Sequence, residues 1–221
     1  MRDAKSGSGP DFPVILVHGL WVPGLVMHPL AYRLEQSGFR CHAFSYMGAG
    51  RPLAAHAERL ARFARDVGDK YGPAHFVGHS LGGLLVLETL NGHPALEMGR
   101  AVLLGTPARG CFAGRRLARH GPGRWFLGQS EELWREGRAA HWTRREALGV
   151  VAGSLPFGLG RLFGPLPGVN DGVVRLDETA IEGMADRVVL PVGHSAMLIS
   201  ARVAAQVGAF LSDGKFLANP R

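Results

Sequence analysis

The segment VGHSLGG, residues 77–83, holds Ser80 between two glycines, Gly78 and Gly82. It follows an apolar run typical of a strand and continues into LGGLLVLETL, which has a helical pattern. A turn this sharp leaves no room for side chains at the flanking positions and strains the serine so that its Oγ points outward. The spacing alone is weak evidence in a chain with 32 glycines. The strand-to-helix context favours a reactive alcohol.

Around this turn, short β-branched runs alternate with longer helical patterns, which is typical of a parallel sheet covered by helices. One helix is predicted from position 53 to the Gly72-Pro73 stop, and a last helix over 196–211 with Ser195 as its N-cap. We predict an α/β fold with a mostly parallel central sheet and helices on both faces. The sheet has about six strands, at 14–18, 40–46, 74–79, 100–106, 148–154 and 187–193.

The length favours one domain. Residues 1–12 form a predicted flexible tail, and residues 13–221 form a single α/β domain with a helical lid or cap insertion at about 107–147, where the alternation stops. No stretch has the pattern of a secretory signal or a membrane-spanning helix, so a cytoplasmic location is expected. Cys41 and Cys111 are not a CxxC pair and are expected to be reduced thiols.

The formal net charge is +7, and the insertion contributes much of it. Positions 108–146 contain nine arginines and four glutamates, so this segment carries a net charge of +5. A solvated helical face accounts for this charge, and without zinc-finger or RNP patterns no nucleic-acid partner is expected. Stable membrane insertion is not expected either. Contact of the basic lid with a lipid surface is left open, and the sequence does not indicate an oligomeric state.

A serine hydroxyl becomes nucleophilic when a histidine takes its proton and an acid orients that histidine. His194 directly follows the last predicted strand and precedes a helix, which places it at the same sheet edge as Ser80. His79 adjoins the serine on the opposite pleat and is interpreted as a packing or hydrogen-bonding residue. His18 is interpreted as shaping the first loop. The other histidines fall on helices, strand starts or the insertion.

The predicted acid is Asp171, in the segment GVNDGVV, which lies in a loop after the fifth strand. The glycine that follows permits a tight turn. Two other aspartates are rivals. Asp186 begins the final strand, at the wrong end of the sheet, and a helix cap or surface role suffices for Asp177.

Negative charge on a reacting carbonyl oxygen needs fixed donors. The backbone N–H of Leu81, at the start of a helix, is one candidate. The Leu20 N–H is the other, because Gly19 in HGLW permits a close approach. An acyl pocket is predicted from Trp21, Val22 and Leu25 in the same loop. Four residues of the insertion either line this pocket or only anchor the insertion to the core: Trp125, Phe126, Leu127 and Trp134.

Five segments together resemble the α/β-hydrolase superfamily, in particular its compact bacterial lipase and esterase branch: VILVHGLW, VGHSLGG, LLGTP, NDGVV and GHSAML. The resemblance spans residues 13–211. It implies Ser80 as the nucleophile, Asp171 and His194 as its partners in the usual chain order, and Leu20 and Leu81 as oxyanion donors.

The activity implied is that of a serine hydrolase that cleaves carboxylic esters through an acyl-enzyme, with a small acyl ester as its partner molecule. No cofactor or metal is expected, because neither a phosphate-binding loop nor an HExxH pattern is present. Two alternatives stay open: a thioesterase or acyltransferase with the same triad, and a non-catalytic binding protein on the same fold.

Overall fold

The computed structural model describes residues 12–19, 24–47, 51–118, 141–157 and 165–218. They contain a six-stranded parallel sheet in the order β2-β1-β3-β4-β5-β6. The six predicted strands are confirmed, with ends shifted by a few residues. Their bounds are β1 Pro13–Val17, β2 Arg40–Phe44, β3 Ala74–His79, β4 Met98–Leu104, β5 Leu148–Gly153 and β6 Asp186–Leu190.

Helices cover both faces of this sheet, so the predicted fold class is confirmed. Because side chains alternate along a strand, β1 sends Ile15 and Val17 into one core and Val14 and Leu16 into the other. Helices α2 and α3 pack on the first face, and α1 and α5 pack on the second. The described α-helices are α1 His28–Gln36, α2 Leu53–Tyr71, α3 Leu81–Gly92, α4 Phe112–Ala118 and α5 Ala201–Asp213.

The last helix begins later than its periodicity predicts. Ser195 opens a separate 3-10 turn, Ser195–Leu198, and makes no capping hydrogen bond to α5. The N-cap of α5 is Ser200, whose Oγ accepts from the Val203 N–H at 3.3 Å. The predicted cap was wrong because the chain completes a short turn after β6 before it enters the helix.

The predicted insertion at 107–147 is described at its two ends, where α4 begins it and residues 141–147 lead into β5. Buried Glu178 ties the first end to the loop before β6, since its carboxylate accepts from Phe112 N–H at 2.6 Å and from Arg175 N–H at 2.8 Å. The predicted tail is described only at Phe12, whose ring lies 5.5 Å from that of His75. None of the helices in the described ranges is long and apolar enough to cross a membrane.

Candidate active site

The strand order fixes where loops from different parts of the chain meet. From β1 the chain passes outward to β2 and then returns to place β3 on the other side of β1. Ligands of open parallel sheets bind at such a switch point, beyond the carboxyl ends of the strands. Val17 of β1 pairs with Gly78 of β3, so residues 18–19 and Ser80 leave the sheet side by side.

Ser80 stands at the turn between β3 and α3 with a φ of 55° and a ψ of −124°. It is the one non-glycine residue with positive φ in the described part of the chain. A Cβ at Gly78 would lie 2.6 Å from the Gly83 Cα, and one at Gly82 would lie 2.3 Å from the Val17 carbonyl oxygen. The prediction of a strained, closely packed turn is confirmed, and strained backbone of this kind clusters at functional sites in proteins.

Asp171 and His194 meet at the same edge. The Oδ2 of Asp171 lies 2.8 Å from the Nδ1 of His194, and the backbone N–H of His194 donates to the Asp171 carbonyl oxygen at 2.8 Å. The Oδ1 of Asp171 accepts from the backbone N–H groups of Val173 and Val174, at 2.9 Å and 2.7 Å. Both carboxylate oxygens are therefore engaged, and the acid is 1% exposed.

The rival aspartates are occupied elsewhere. Asp177 is largely exposed and pairs with the Arg175 guanidinium. Asp186, at the amino end of β6, accepts from the N–H groups of Arg187 and Phe216. Neither is hydrogen-bonded to His194, whose ring contacts Asp171.

Opposing effects set the protonation state of Asp171. Burial raises the pKa of Asp171. The charge of a protonated His194 and the hydrogen bonds to the carboxylate lower it by more than burial raises it. The pKa of Asp171 lies below its ordinary value as a result. The acid is ionised near neutral pH, and the Nδ1 of His194 carries the proton shared with it.

Two glycines make room for this pair, and sequence reasoning did not single them out. A Cβ at Gly105, which has a φ of 53°, would lie 3.0 Å from both the Asp171 Oδ2 and the His194 Nδ1. A Cβ at Gly153 would lie 2.7 Å from the Asp171 Cβ. Gly105 directly follows β4, and Gly153 is the last residue of β5. Their position at the carboxyl end of a strand is the signal in the sequence that marks them.

The predicted oxyanion side is described in part. Leu81 is the first residue of α3, so its N–H has no helical acceptor one turn earlier. Gly19 lies against the Ser80 turn, since a Cβ on it would be 3.1 Å from the Ser80 Cβ. Leu20, Trp21 and Val22 lie outside the described residues, as do the predicted insertion residues Trp125, Phe126, Leu127 and Trp134. Leu25 is described. It lies in the connection between β1 and α1, and its exposed fraction is 66%.

His18 and His79 hold neighbouring backbone in place. The Nδ1 of His18 lies 2.8 Å from the Gly19 carbonyl oxygen, and its Nε2 accepts from the Tyr46 N–H at 3.2 Å. His79 links Ser80 to His194, because it precedes Ser80 in the chain and its Nε2 lies 3.1 Å from the His194 carbonyl oxygen. Ser80, Asp171 and His194 thus come from three loops at one edge of the sheet.

This arrangement has the parts of a nucleophile, base and orienting acid, and its use as a catalytic triad stays a prediction. As for metals, no group of three or more His, Cys, Asp or Glu side chains is gathered as ligands within the described ranges.

Known proteins resemble this chain in sequence and in fold. A family model described as "Alpha/beta hydrolase family" matches residues 14–146. A protein of Mycobacterium phage D29 named "Putative non-heme haloperoxidase" is 32% identical over 113 residues, which is 48% of this chain and 40% of that protein. The chain therefore matches less than half the length of this relative.

Two solved structures share the fold at low sequence identity. The mature form of the lipase BlEst2 from Bacillus licheniformis is 17% identical with a TM-score of 0.72, and the match covers 90% of both chains. The carboxylesterase CesB from Bacillus subtilis is 19% identical with a TM-score of 0.57, and the match covers 93% of this chain and 86% of that one. The family match, the sheet order and the strained serine turn agree, and the chain belongs to the alpha/beta hydrolase family.

Proposed function

We propose that this protein is a serine hydrolase that cleaves carboxylic esters through an acyl-enzyme on Ser80. The observation that carries the proposal is the buried hydrogen bond between Asp171 and His194, formed at the sheet edge where the strained Ser80 turn stands. A purely structural histidine needs no ionised acid held by two backbone donors behind it. A base that must become an imidazolium does.

The reaction follows from which nitrogen of His194 is free. Its Nδ1 is bound to Asp171, so its Nε2 accepts the Ser80 hydroxyl proton as Oγ attacks the carbonyl carbon. The imidazolium then gives this proton to the leaving alkoxide, and the alcohol departs. A water molecule next loses a proton to the same nitrogen, attacks the acyl carbon and releases the acid, and the proton returns to Oγ. Asp171 stays ionised throughout.

Charge that develops on the carbonyl oxygen requires donors fixed beforehand. The Leu81 N–H supports the proposal because it opens α3, where the helix dipole favours negative charge. The close contact of Gly19 with Ser80 supports a second donor from the residue that follows, Leu20. A single donor of this kind contributes about 3 kcal/mol to transition-state stabilisation.

Apolar side chains around the same edge support an uncharged acyl group as substrate. Exposed hydrophobic residues lie in the connections that follow β1, β2, β5 and β6: Leu25, Met47, Phe157 and Ile199. Side chains of this type bind the hydrocarbon part of a ligand and not a charged group. The proposed substrates are small esters with an apolar acyl chain.

Hydrolysis of p-nitrophenyl esters of increasing acyl length tests the proposal, with thioester analogues as a parallel arm. We expect Ser80→Ala to lose at least about a thousandfold in kcat on every substrate that the wild type cleaves. Higher kcat/KM on the thioesters would assign the chain to thioester cleavage. A wild type no faster than Ser80→Ala on any substrate would favour a binding protein on the same fold.

A second candidate rests on the similarity to the phage haloperoxidase. If acetic acid acylates Ser80 with loss of water and hydrogen peroxide then attacks the acyl-enzyme, the product is peracetic acid, which oxidises bromide to hypobromous acid and is itself reduced to acetic acid. The test is bromination of an organic dye with peroxide, bromide and acetate supplied together. Bromination that needs acetate and disappears in Ser80→Ala would assign this activity to the same serine.

A further inference from the structure

His79 is a buried titratable residue beside the proposed active site. The mechanism above gives it no role. It ends β3 directly before Ser80 and is 5% exposed. Its Nε2 lies 3.1 Å from the carbonyl oxygen of His194, and the two imidazole rings are 4.7 Å apart between centroids at an angle of 46°. His79 therefore contacts His194, the proposed base, and is the residue directly before Ser80, the proposed nucleophile.

The contact with a carbonyl oxygen determines the tautomer of His79. A carbonyl accepts only, so the Nε2 must carry the proton and donate it. Burial, together with the charge of His194, lowers the pKa of His79 to about 3, so that the ring is neutral near neutral pH. The Nδ1 is then a bare acceptor, and it has no hydrogen-bond partner among the residues that the structure describes.

This hydrogen bond completes the fixation of His194. The backbone N–H of His194 donates to the Asp171 carbonyl, its ring Nδ1 contacts the Asp171 carboxylate, and its own carbonyl accepts from His79. His194 is therefore hydrogen-bonded to Asp171 on one side and to His79, the last residue of β3, on the other. Because Ser80 follows His79 directly, the bond also sets the distance between the base and the strand that carries the nucleophile.

We propose that His79 is a positioning residue for the ester-cleaving site: its Nε2–H donates to the His194 carbonyl and holds the base in register with the Ser80 turn. The inference rests on the proposed function. A misplacement of about 1 Å in a reacting group costs on the order of a hundredfold in rate. Loss of this bond should therefore lower kcat and leave substrate binding largely unchanged.

The test compares one variant that keeps a donor with two that do not. In His79→Gln the side-chain amide nitrogen replaces the Nε2 donor, whereas His79→Leu and His79→Phe fill the space without one. We expect His79→Leu and His79→Phe to lose about tenfold to a hundredfold in kcat with KM within about twofold of wild type. His79→Gln should recover most of that loss, and the downfield NMR signal of the His194 Nδ1 proton should persist in it and broaden in the other two.

Each outcome decides one question. A wild type without esterase activity refutes the proposed function, whatever the variants do. An active wild type whose donor-free variants match His79→Gln in kcat and in the NMR signal refutes the role of His79. If both donor-free variants fail to fold while His79→Gln folds, the hydrogen bond is needed for folding and not for positioning His194 in the folded protein, and the inference is wrong.

Discussion

His194 is bound twice to Asp171: its ring Nδ1 lies 2.8 Å from the carboxylate, and its backbone N–H donates to the carbonyl oxygen of the same residue at 2.8 Å. The first contact orients the ring, and the second holds the chain on which the ring is carried. The loop that carries Asp171 and the loop that carries His194 are therefore joined by two hydrogen bonds, although they lie on opposite sides of β6 in the sequence.

The charge of Asp171 is the first quantity to test. Asp171→Asn keeps the volume but carries no negative charge to stabilise the imidazolium, and its amide group can donate to Nδ1, which favours the wrong tautomer of His194. We expect kcat for ester cleavage to fall by about a thousandfold to ten-thousandfold. Asp177→Asn is the matched control, because Asp177 is largely exposed and paired with Arg175. Equal activities of the two variants would contradict the assignment of the acid.

The same carboxylate makes stability depend on pH. The pKa of Asp171 is lowered by folding, so its contribution to the free energy of unfolding is present above the unfolded value of about 3.9 and is lost as pH falls through the folded value. In urea titrations, we expect the difference in unfolding free energy between wild type and Asp171→Asn to shrink from about pH 6 to about pH 3. A difference that grows toward acid pH would show that the sign is wrong.

The strain at Ser80 should be visible in stability. A serine at a φ of 55° costs energy that a glycine does not, because glycine has no Cβ. We expect Ser80→Gly to be more stable to denaturant than Ser80→Ala by about 1–2 kcal/mol, with both variants inactive. Equal stabilities of the two variants would mean that this turn is not strained.

The closeness of α3 to β1 gives a prediction for glycines. A Cβ at Gly82 would lie 2.3 Å from the carbonyl oxygens of Val17 and His18, so Gly82→Ala should destabilise the fold by at least about 1–3 kcal/mol. Gly68→Ala, inside α2 with no atom within 4 Å of the added Cβ, should stabilise it by about 0.5–1 kcal/mol. Thermal unfolding of both variants measures the contrast. A stabilising Gly82→Ala would contradict the described packing of α3.

The strands and the meeting of Asp171 with His194 could be predicted from the sequence for a simple physical reason. In a parallel sheet every strand delivers its carboxyl end to the same edge, so loops that follow strands must converge. It was enough to recognise which segments are strands and which loops carry chemistry. The strand order itself needed the structure, because periodicity does not say which strands are neighbours.

Other features depend on contacts that no local pattern contains. The bond from His79 to His194 joins residues far apart in the chain, and the sequence indicated only a packing or hydrogen-bonding role for His79. Gly105 is required by the volume of the Asp171–His194 pair above it. The N-cap of α5 is Ser200 and not the predicted Ser195, because the chain needs a turn to return from β6 to the helix layer.

The central claim is that Ser80 is a nucleophile activated by His194. It is tested most directly by treating the protein with a fluorophosphonate and locating the adduct by intact mass and peptide mapping. The account predicts one adduct, on Ser80, that is absent in Ser80→Ala and forms at least about a hundredfold more slowly in His194→Ala. An unlabelled wild type, or an adduct that persists in Ser80→Ala, would contradict it.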